Sequence, residues 1–336
     1  MCLRARKSHL YNFSPRSLKM LQSKAENIHK PVLLAETLRM LDLHSGEVFV
    51  DATLGLGGHT EAVLSLSGNI RAIGIDQDAQ AIDLAQQRLA SFGDRFEAFH
   101  ANFSDVLLVL EKAEIEKVDY ILADLGVSSL QFDSETRGFS FRFDAPLDMR
   151  MNAEAETENA AELLETLSEF EIARIIYEYG EERFSRRIAR RIVERRTRGE
   201  LVKTTKELAE LIEKAVRRGK KDKIHPATKT FQALRIAVNG ELEILEQFVR
   251  DSVGVLKKDG RLALITFHSL EDRIVKQTMQ KLAGTCFCPP RMPKCVCGAS
   301  REIEILTRKP IVATEQETTN NPRARSAKLR ACRKIT

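Results

Sequence analysis

Short apolar, β-branched runs recur along the first part of the chain: Val48–Val50, Ala72–Ile75, Phe96–His100 and Val118–Asp124. Runs of this length predict buried strands. Between them lie segments with helical periodicity, such as Gln80–Leu89, and an amphipathic helix reaches about Leu41 before the first strand. Strand and helix in alternation predict an α/β domain with a doubly wound parallel sheet.

The alternation stops after Gly126. Gln131 to Met151 reads as a long loop, and its several aromatic residues argue for an ordered, functional one. Asn152 to Gly219 is helical in pattern. From Thr228 a single long helix is expected to about Val255, with Phe231, Leu234, Val238, Leu242, Leu245 and Val249 as its core stripe and Arg235 and Asn239 beside it. Arg261–His268 then reads as another buried strand, introduced by Lys258-Asp259-Gly260. The helices are therefore inserted into the α/β domain. The expected division is a basic extension at 1–28, a core of 29–132 plus 227–336, and an inserted helical domain at 133–226 for substrate recognition.

The turn after the first strand carries Gly55, Gly57 and Gly58 ahead of a helix. Glycines there let a ligand approach the backbone closely. The pattern departs from the dinucleotide fingerprint, because Thr60 stands where its third glycine or alanine belongs. Three strands close on acids: Asp51, Asp76 and Asp124. Carboxylates along one rim repel a pyrophosphate and suit a cationic nucleoside, so S-adenosylmethionine fits better than a nicotinamide dinucleotide. Asp76 lies about 20 residues beyond the glycines, where such folds place the acid that accepts ribose hydroxyls.

Composition narrows the class. The 336 residues allow about two domains. With 43% apolar and 30% charged residues, the chain is globular and can bury a core. No apolar run reaches the roughly 18 residues of a membrane span. Four of the six cysteines fall in Cys286-x-Cys288 and Cys295-x-Cys297. They would hold a structural zinc or form a reduced loop, and no disulfide scaffold is expected.

The net charge of +5 is unevenly placed. Arg183 to Arg198 holds eight arginines against Glu194 alone, followed by Lys214, Arg217, Arg218, Lys220, Lys221 and Lys223. The chain closes with Arg323, Arg325, Lys328, Arg330, Arg333 and Lys334. Arginine at this density suits phosphate contacts and points to nucleic acid. Residues 1 to 25 carry Arg4, Arg6, Lys7, Arg16, Lys19 and Lys24 without an acid. They read as a disordered extension or as an organellar transit peptide. Ser269 and Asp272 have capping-box spacing, and His268 at a strand end is a candidate for substrate contact.

Several segments resemble one family. His29-Lys30-Pro31-Val32-Leu33-Leu34, Gly55-Leu56-Gly57-Gly58-His59, Asp124-Leu125-Gly126-Val127-Ser128-Ser129, Arg137-Gly138-Phe139-Ser140-Phe141, Pro146-Leu147-Asp148-Met149-Arg150-Met151, Tyr179-Gly180-Glu181-Glu182, Phe267-His268-Ser269-Leu270-Glu271-Asp272-Arg273 and Asn321-Pro322-Arg323-Ala324-Arg325-Ser326 closely resemble the RsmH, or MraW, family. Its members methylate N4 of a cytidine in the decoding region of bacterial small-subunit ribosomal RNA. The resemblance implies a class I (Rossmann-like) S-adenosylmethionine-dependent methyltransferase core with an inserted α-helical domain. It implies a cofactor site of Gly57, Gly58 and His59, with Asp76 for the ribose, Phe103 on the adenine, Asp124 near the methionine portion and Gln131 just beyond.

Asp124 is also the candidate catalytic residue, and no catalytic metal is implied. The implied partner is small-subunit ribosomal RNA or a ribosomal particle. A homodimer stays open, and the implied compartment is the cytoplasm, or an organelle if the extension is a transit peptide. Methylation at C5 would need a thiolate to add to the ring, and none of the cysteines lies in the strand-end segments. The competing readings are a DNA amino methyltransferase and a non-catalytic assembly factor that retains a cofactor pocket. The former typically carries Asp/Asn-Pro-Pro-Tyr where this chain has Asp124-Leu125-Gly126-Val127.

Overall fold

The computed structural model describes residues 30–336 apart from 45–46, 67, 133, 217–223, 287, 289–295 and 297–298. The basic extension, the cations at 217–223, Cys295 and Cys297 lie outside the described residues.

Among the described residues, eight strands make one sheet. β1 (Val48–Asp51), β2 (Arg71–Asp76), β3 (Phe96–His100), β4 (Val118–Asp124) and β5 (Leu256–Thr266) run parallel. β6 (Ile303–Ile305), β7 (Ile311–Val312) and β8 (Lys328–Lys334) complete it. The order is β3-β2-β1-β4-β5-β8-β6, with β7 paired to β8 and β8 antiparallel to β5 and β6.

Helices α1 (Leu34–Leu41), α2 (Gly58–Leu66), α3 (Ala79–Leu89) and α4 (Val106–Lys112) fall among the first four strands. Between β4 and β5 come α5 (Ser129–Phe132), α6 (Ala160–Thr166), α7 (Glu169–Gly180), α8 (Ser185–Thr197), α9 (Thr205–Ala215), α10 (Thr228–Asn239) and α11 (Leu245–Val255). α12 (Ser269–Leu282) and α13 (Glu315–Asn320) follow β5.

The strands are apolar on both sides because both sides are covered. Val50, Ile73, Ile75 and Ile121 pack against Val109 of α4, Phe248 of α11 and Val275 of α12. Their neighbours Phe49, Ala72, Tyr120 and Leu122 face Leu38 of α1, Leu64 of α2 and Leu89 of α3. The inserted helices bury a separate core. Ile172, Ile176, Ile188, Ile192, Leu208 and Ile212 form it together with Phe139, Leu147, Met149 and Met151 of the loop before them. That loop is ordered: Gly138 has φ 75°, and a Cβ there would lie 2.4 Å from the Pro146 carbonyl. Capping boxes start three of these helices, Asn159/Glu162 for α6, Ser168/Glu171 for α7 and Thr204/Glu207 for α9.

Two expectations are corrected. The pattern from Thr228 to Val255 is not one helix but α10 and α11, because Gly240 takes a left-handed conformation that ends α10. The strand before His268 begins earlier than expected, at Leu256, and the register with β4 jumps between Val118–Leu256 and Tyr120–Arg261. Lys257 to Gly260 bulge out there, with Asp259 at φ 68°. The expected boundary at 226/227 falls before α10, yet Phe231 and Leu234 are buried with the inserted helices.

Candidate active site

The sheet order turns back between β1 and β4. In open α/β sheets ligands bind at such a point, outside the carboxyl ends of the strands. β1, β2 and β4 end there on Asp51, Asp76 and Asp124. The glycines of the intervening turn are needed: Gly55 and Gly57 have φ 50° and 73°, and a Cβ on Gly58 would lie 2.6 Å from Pro31 Cγ. The Gly55 and Asp78 N–H groups donate to the two oxygens of Asp76 at 2.7 and 2.9 Å. The turn is thereby tied to the end of β2.

The carboxyls are crowded and withdrawn from water, Asp51 fully and Asp76 and Asp124 in part. Asp51 accepts from the Thr60 hydroxyl at 2.7 Å and from the Thr53 N–H at 3.3 Å. Burial nevertheless pushes Asp51 and Asp76 up to about 6. Asp124 is raised well above the usual carboxylate range, first by burial and then by the nearby charges of Asp51 and Glu271. Its Oδ1 is buried and has no hydrogen-bond partner. An orphaned buried acceptor costs free energy, and a ligand bringing N–H donors or positive charge removes that cost.

A buried ionic cluster lies behind Asp124. Arg235 of α10 donates to both oxygens of Glu241 at 2.8 and 2.7 Å, and its Nη2 is 3.8 Å from Glu271 Oε1. Glu271 Oε2 accepts from the Phe267 and His268 N–H groups at 2.7 and 3.3 Å. In return, His268 Nδ1 accepts from the Glu271 N–H at 3.4 Å. The capping box of α12 is therefore His268 with Glu271, not Ser269 with Asp272. Ser269 instead donates to Glu181 at 2.6 Å, and Asp272 pairs with Arg330. Ligand atoms of Glu241, His268 and Glu271 lie within 4.8 Å of one another, but both carboxylates already face the Arg235 guanidinium.

Residues 26–335 match the model of the MraW methylase family. The chain belongs to the MraW methylase family. It is 51% identical to ribosomal RNA small subunit methyltransferase H of Clostridium botulinum (strain Loch Maree / Type A3), over 91% of this chain and 99% of that one. The protein of the same name from Geobacter sulfurreducens is 49% identical, again over 91% and 99%. A solved structure described as a putative rRNA-methylase from Clostridium thermocellum covers 92% of this chain and 100% of its own at 12% identity, with a TM-score of 0.43.

The other residues that the MraW resemblance nominates have plain local roles in the structure. His59 Nε2 lies 3.1 Å from the Val32 carbonyl, against the segment that carries Pro31. Phe103 sits half-buried in a 3-10 turn just beyond β3, edge-on to Phe248 with ring centroids 5.0 Å apart. Gln131 is 3% exposed and donates to Asp78 Oδ2 at 2.9 Å and to the Met151 carbonyl at 3.3 Å. Arg137 adds a 3.3 Å contact to Asp78 and bonds the Arg150 and Met151 carbonyls. Asn239 accepts from the Met151 N–H and donates to the Met149 carbonyl, both at 2.8 Å. The glycine turn and the three acids thus share one rim, while His59 and Gln131 hold the loops on either side.

Sequence reasoning missed Asp78, Glu241 and Glu271. Asp78 had one local signal, an Asp immediately before a helix, and it does cap α3 through the Gln80 N–H. The other two gave none.

The basic segments separate. On α8, Arg186, Arg187, Arg190 and Arg191 are exposed. Arg196 instead donates to the carbonyls of Leu164, Glu165 and Leu167 at 2.9, 2.7 and 2.8 Å. At the other end of the chain, Arg330 pairs with Asp272 at 2.6 Å, Arg333 with Glu304 and Asp259 at 2.6 and 2.8 Å, and Lys334 with Glu302 at 3.3 Å. That tail is a strand of the core sheet, and these three cations are already paired with carboxylates. No described helix is long and apolar enough to cross a membrane.

Proposed function

We propose that this chain transfers the methyl group of S-adenosylmethionine to N4 of a cytidine in the decoding region of small-subunit ribosomal RNA. The observation that carries the reading is Asp124, a buried carboxyl with an orphaned oxygen at the switch point of the sheet. The rim fits this cofactor on chemical grounds. A glycine turn leaves the backbone open to it, Asp76 suits ribose hydroxyls, and Asp51 with Asp124 suits its ammonium. Phe103 offers an apolar face for the adenine, with His59 and Gln131 bounding the cleft. When bound, the cofactor supplies an electrophilic methyl group and positive charge.

The protein's own share is positioning and electrostatics. Cytosine N4 is a poor nucleophile because its lone pair is delocalised into the ring. Asp124 Oδ1 can accept a hydrogen bond from the amine and counter the positive charge that grows on nitrogen. Burial of the rim excludes water, which strengthens that interaction. The base must leave its stack to reach the site, and the inserted helices are the element that would hold the surrounding RNA. The exposed arginines of α8 and the alignment with curated rRNA methyltransferases support that assignment.

The test is Asp124→Asn, checked for fold, in single-turnover methylation with cofactor titration alongside. The expected result is a fall in kcat larger than the fall in cofactor affinity. Full activity with normal binding would remove Asp124 from the reaction. Recovery of 5-methylcytidine by mass mapping would overturn the assigned chemistry.

A further inference from the structure

Two buried side-chain atoms at the rim lack a hydrogen-bond partner, and they differ in kind. Asp124 Oδ1 at the end of β4 is an acceptor. His268 Nε2, just past the end of β5, is the other. Their strands are neighbours in the sheet: Asp124 is in register with Ile265, three positions before His268. Both also border one carboxylate. Glu271 Oε1 lies 3.0 Å from His268 Nε2, and the Glu271 charge acts on Asp124. That contact is an ion-pair approach without hydrogen-bond geometry, so it leaves the Nε2 donor capacity unused.

The tautomer follows from the cap. His268 Nδ1 accepts from the Glu271 N–H, so the proton of a neutral imidazole is on Nε2, which becomes a donor. The ends of β4 and β5 therefore supply an acceptor and a donor that both flank the Glu271 carboxylate, and both are desolvated. The Watson–Crick edge of cytosine carries the complementary pair, the N4 amine as donor and N3 as acceptor. Uracil carries the reverse, and it would leave both protein atoms unmatched in a dry site, which is the condition for strong rejection.

We propose that His268 is a specificity-determining residue that donates from Nε2 to N3 of the target cytosine while Asp124 accepts from N4. The inference rests on the methyltransferase reading above and deepens it. Glu271 and Arg235 are positioning residues: Glu271 fixes the imidazole through the cap, and Arg235 balances its charge. The two contacts hold the amine edge-on and fix which face of N4 meets the methyl group.

The experiment uses the full chain and small-subunit particles reconstituted with RNA carrying either cytidine or 3-deazacytidine at the methylated position. The deaza base keeps the amine and lacks the N3 acceptor. The variant is His268→Asn, since Asn is a favoured N-cap and preserves the start of α12 while withdrawing the Nε2 donor. Calorimetric cofactor affinity, expected to match wild type, verifies the fold and the cofactor cleft. Wild type should transfer methyl to the deaza particle about ten- to a hundredfold more slowly than to the cytidine particle. His268→Asn should be slowed to a similar degree on cytidine and should gain no further penalty on the deaza base. A variant that methylates cytidine at the wild-type rate overturns the proposal. So does one that still discriminates between the two bases, because a merely structural role leaves the N3 effect intact. Failure of wild type on the cytidine particle would instead refute the methyltransferase reading itself.

Discussion

Helix α8 and strand β8 look alike in sequence, each a dense run of cationic residues. In the structure they are opposites. α8 leaves Arg186, Arg187, Arg190 and Arg191 in solvent, and the ion pairs it makes, such as Arg191 with Glu194 at 3.2 Å, are of the exposed kind that contributes little. β8 lies between β5 and β6, and its cations pair with carboxylates there. Arg330 is 6% exposed and Lys334 is 8% exposed, and both have carboxylate partners. A charge run acquires a meaning only from the surface its backbone leaves uncovered.

The hardest test of that contrast is on β8. Arg330→Ala removes one partner of a buried pair and leaves Asp272 with only Lys328 at 3.5 Å. The expected loss is about 3–5 kcal/mol, read by urea denaturation. A loss under about 1 kcal/mol would mean that burial does not distinguish the two runs.

On α8, reversing charge at Arg187, Arg190 and Arg191 should leave stability within about 0.5 kcal/mol. RNA affinity should fall about a hundredfold near 0.1 M salt, with a flatter salt dependence. An unchanged slope would take α8 out of the RNA interface. Arg196 sharpens the comparison, because it lies on α8 but behaves like β8. Arg196→Ala should destabilise by about 1–2 kcal/mol through the three carbonyls it leaves unpaired, with the salt slope intact.

The mildest effect is on pH dependence at the rim. Asp51 and Asp76 are raised to about 6 from 3.8, so between those values the folded chain holds protons that the unfolded chain has released. Stability of the ligand-free protein should therefore fall as pH rises across that window, by at most about 1.4 kcal/mol per pH unit for each group. Affinity for a cationic cofactor should move the other way, rising as the acids ionise. Asp51→Asn should flatten the first trend, as followed by thermal melts, and a profile identical to wild type would count against it.

Much of the core was legible because its signals are local. Val48-Phe49-Val50 is apolar on both faces, and the acids at 51, 76 and 124 each close such a run, so strands and rim followed from neighbours in sequence. The break at Gly240 was hidden by an apolar periodicity that continues through it, although the glycine itself was the signal. The cap of α12 was misplaced because serine is the commoner cap and His268 serves instead. Glu241 and Glu271 could not be found from pattern, since what makes them matter is Arg235 and the burial they share, all of it tertiary. The same holds for β8: nothing in Lys328–Lys334 announces Asp259, Asp272, Glu302 and Glu304 waiting opposite.

The insertion also bears on how the sheet comes to exist at all. Lys257 and Asp119 touch at 2.8 Å across β5 and β4, yet they are 138 positions apart. A loop of that length in an unstructured chain is slow to close, because its entropy is lost before the pairing rewards it. The inserted helices carry their own core, whose contacts, such as Gly180 against Lys229, span far fewer positions than that, so they can condense first and bring the two strands together as a short hinge. Gly180 sits in that unit, where a Cβ would meet the Lys229 carbonyl at 2.5 Å. A Gly180→Ala chain should accordingly refold more slowly throughout, delaying a sheet that its altered residue does not belong to.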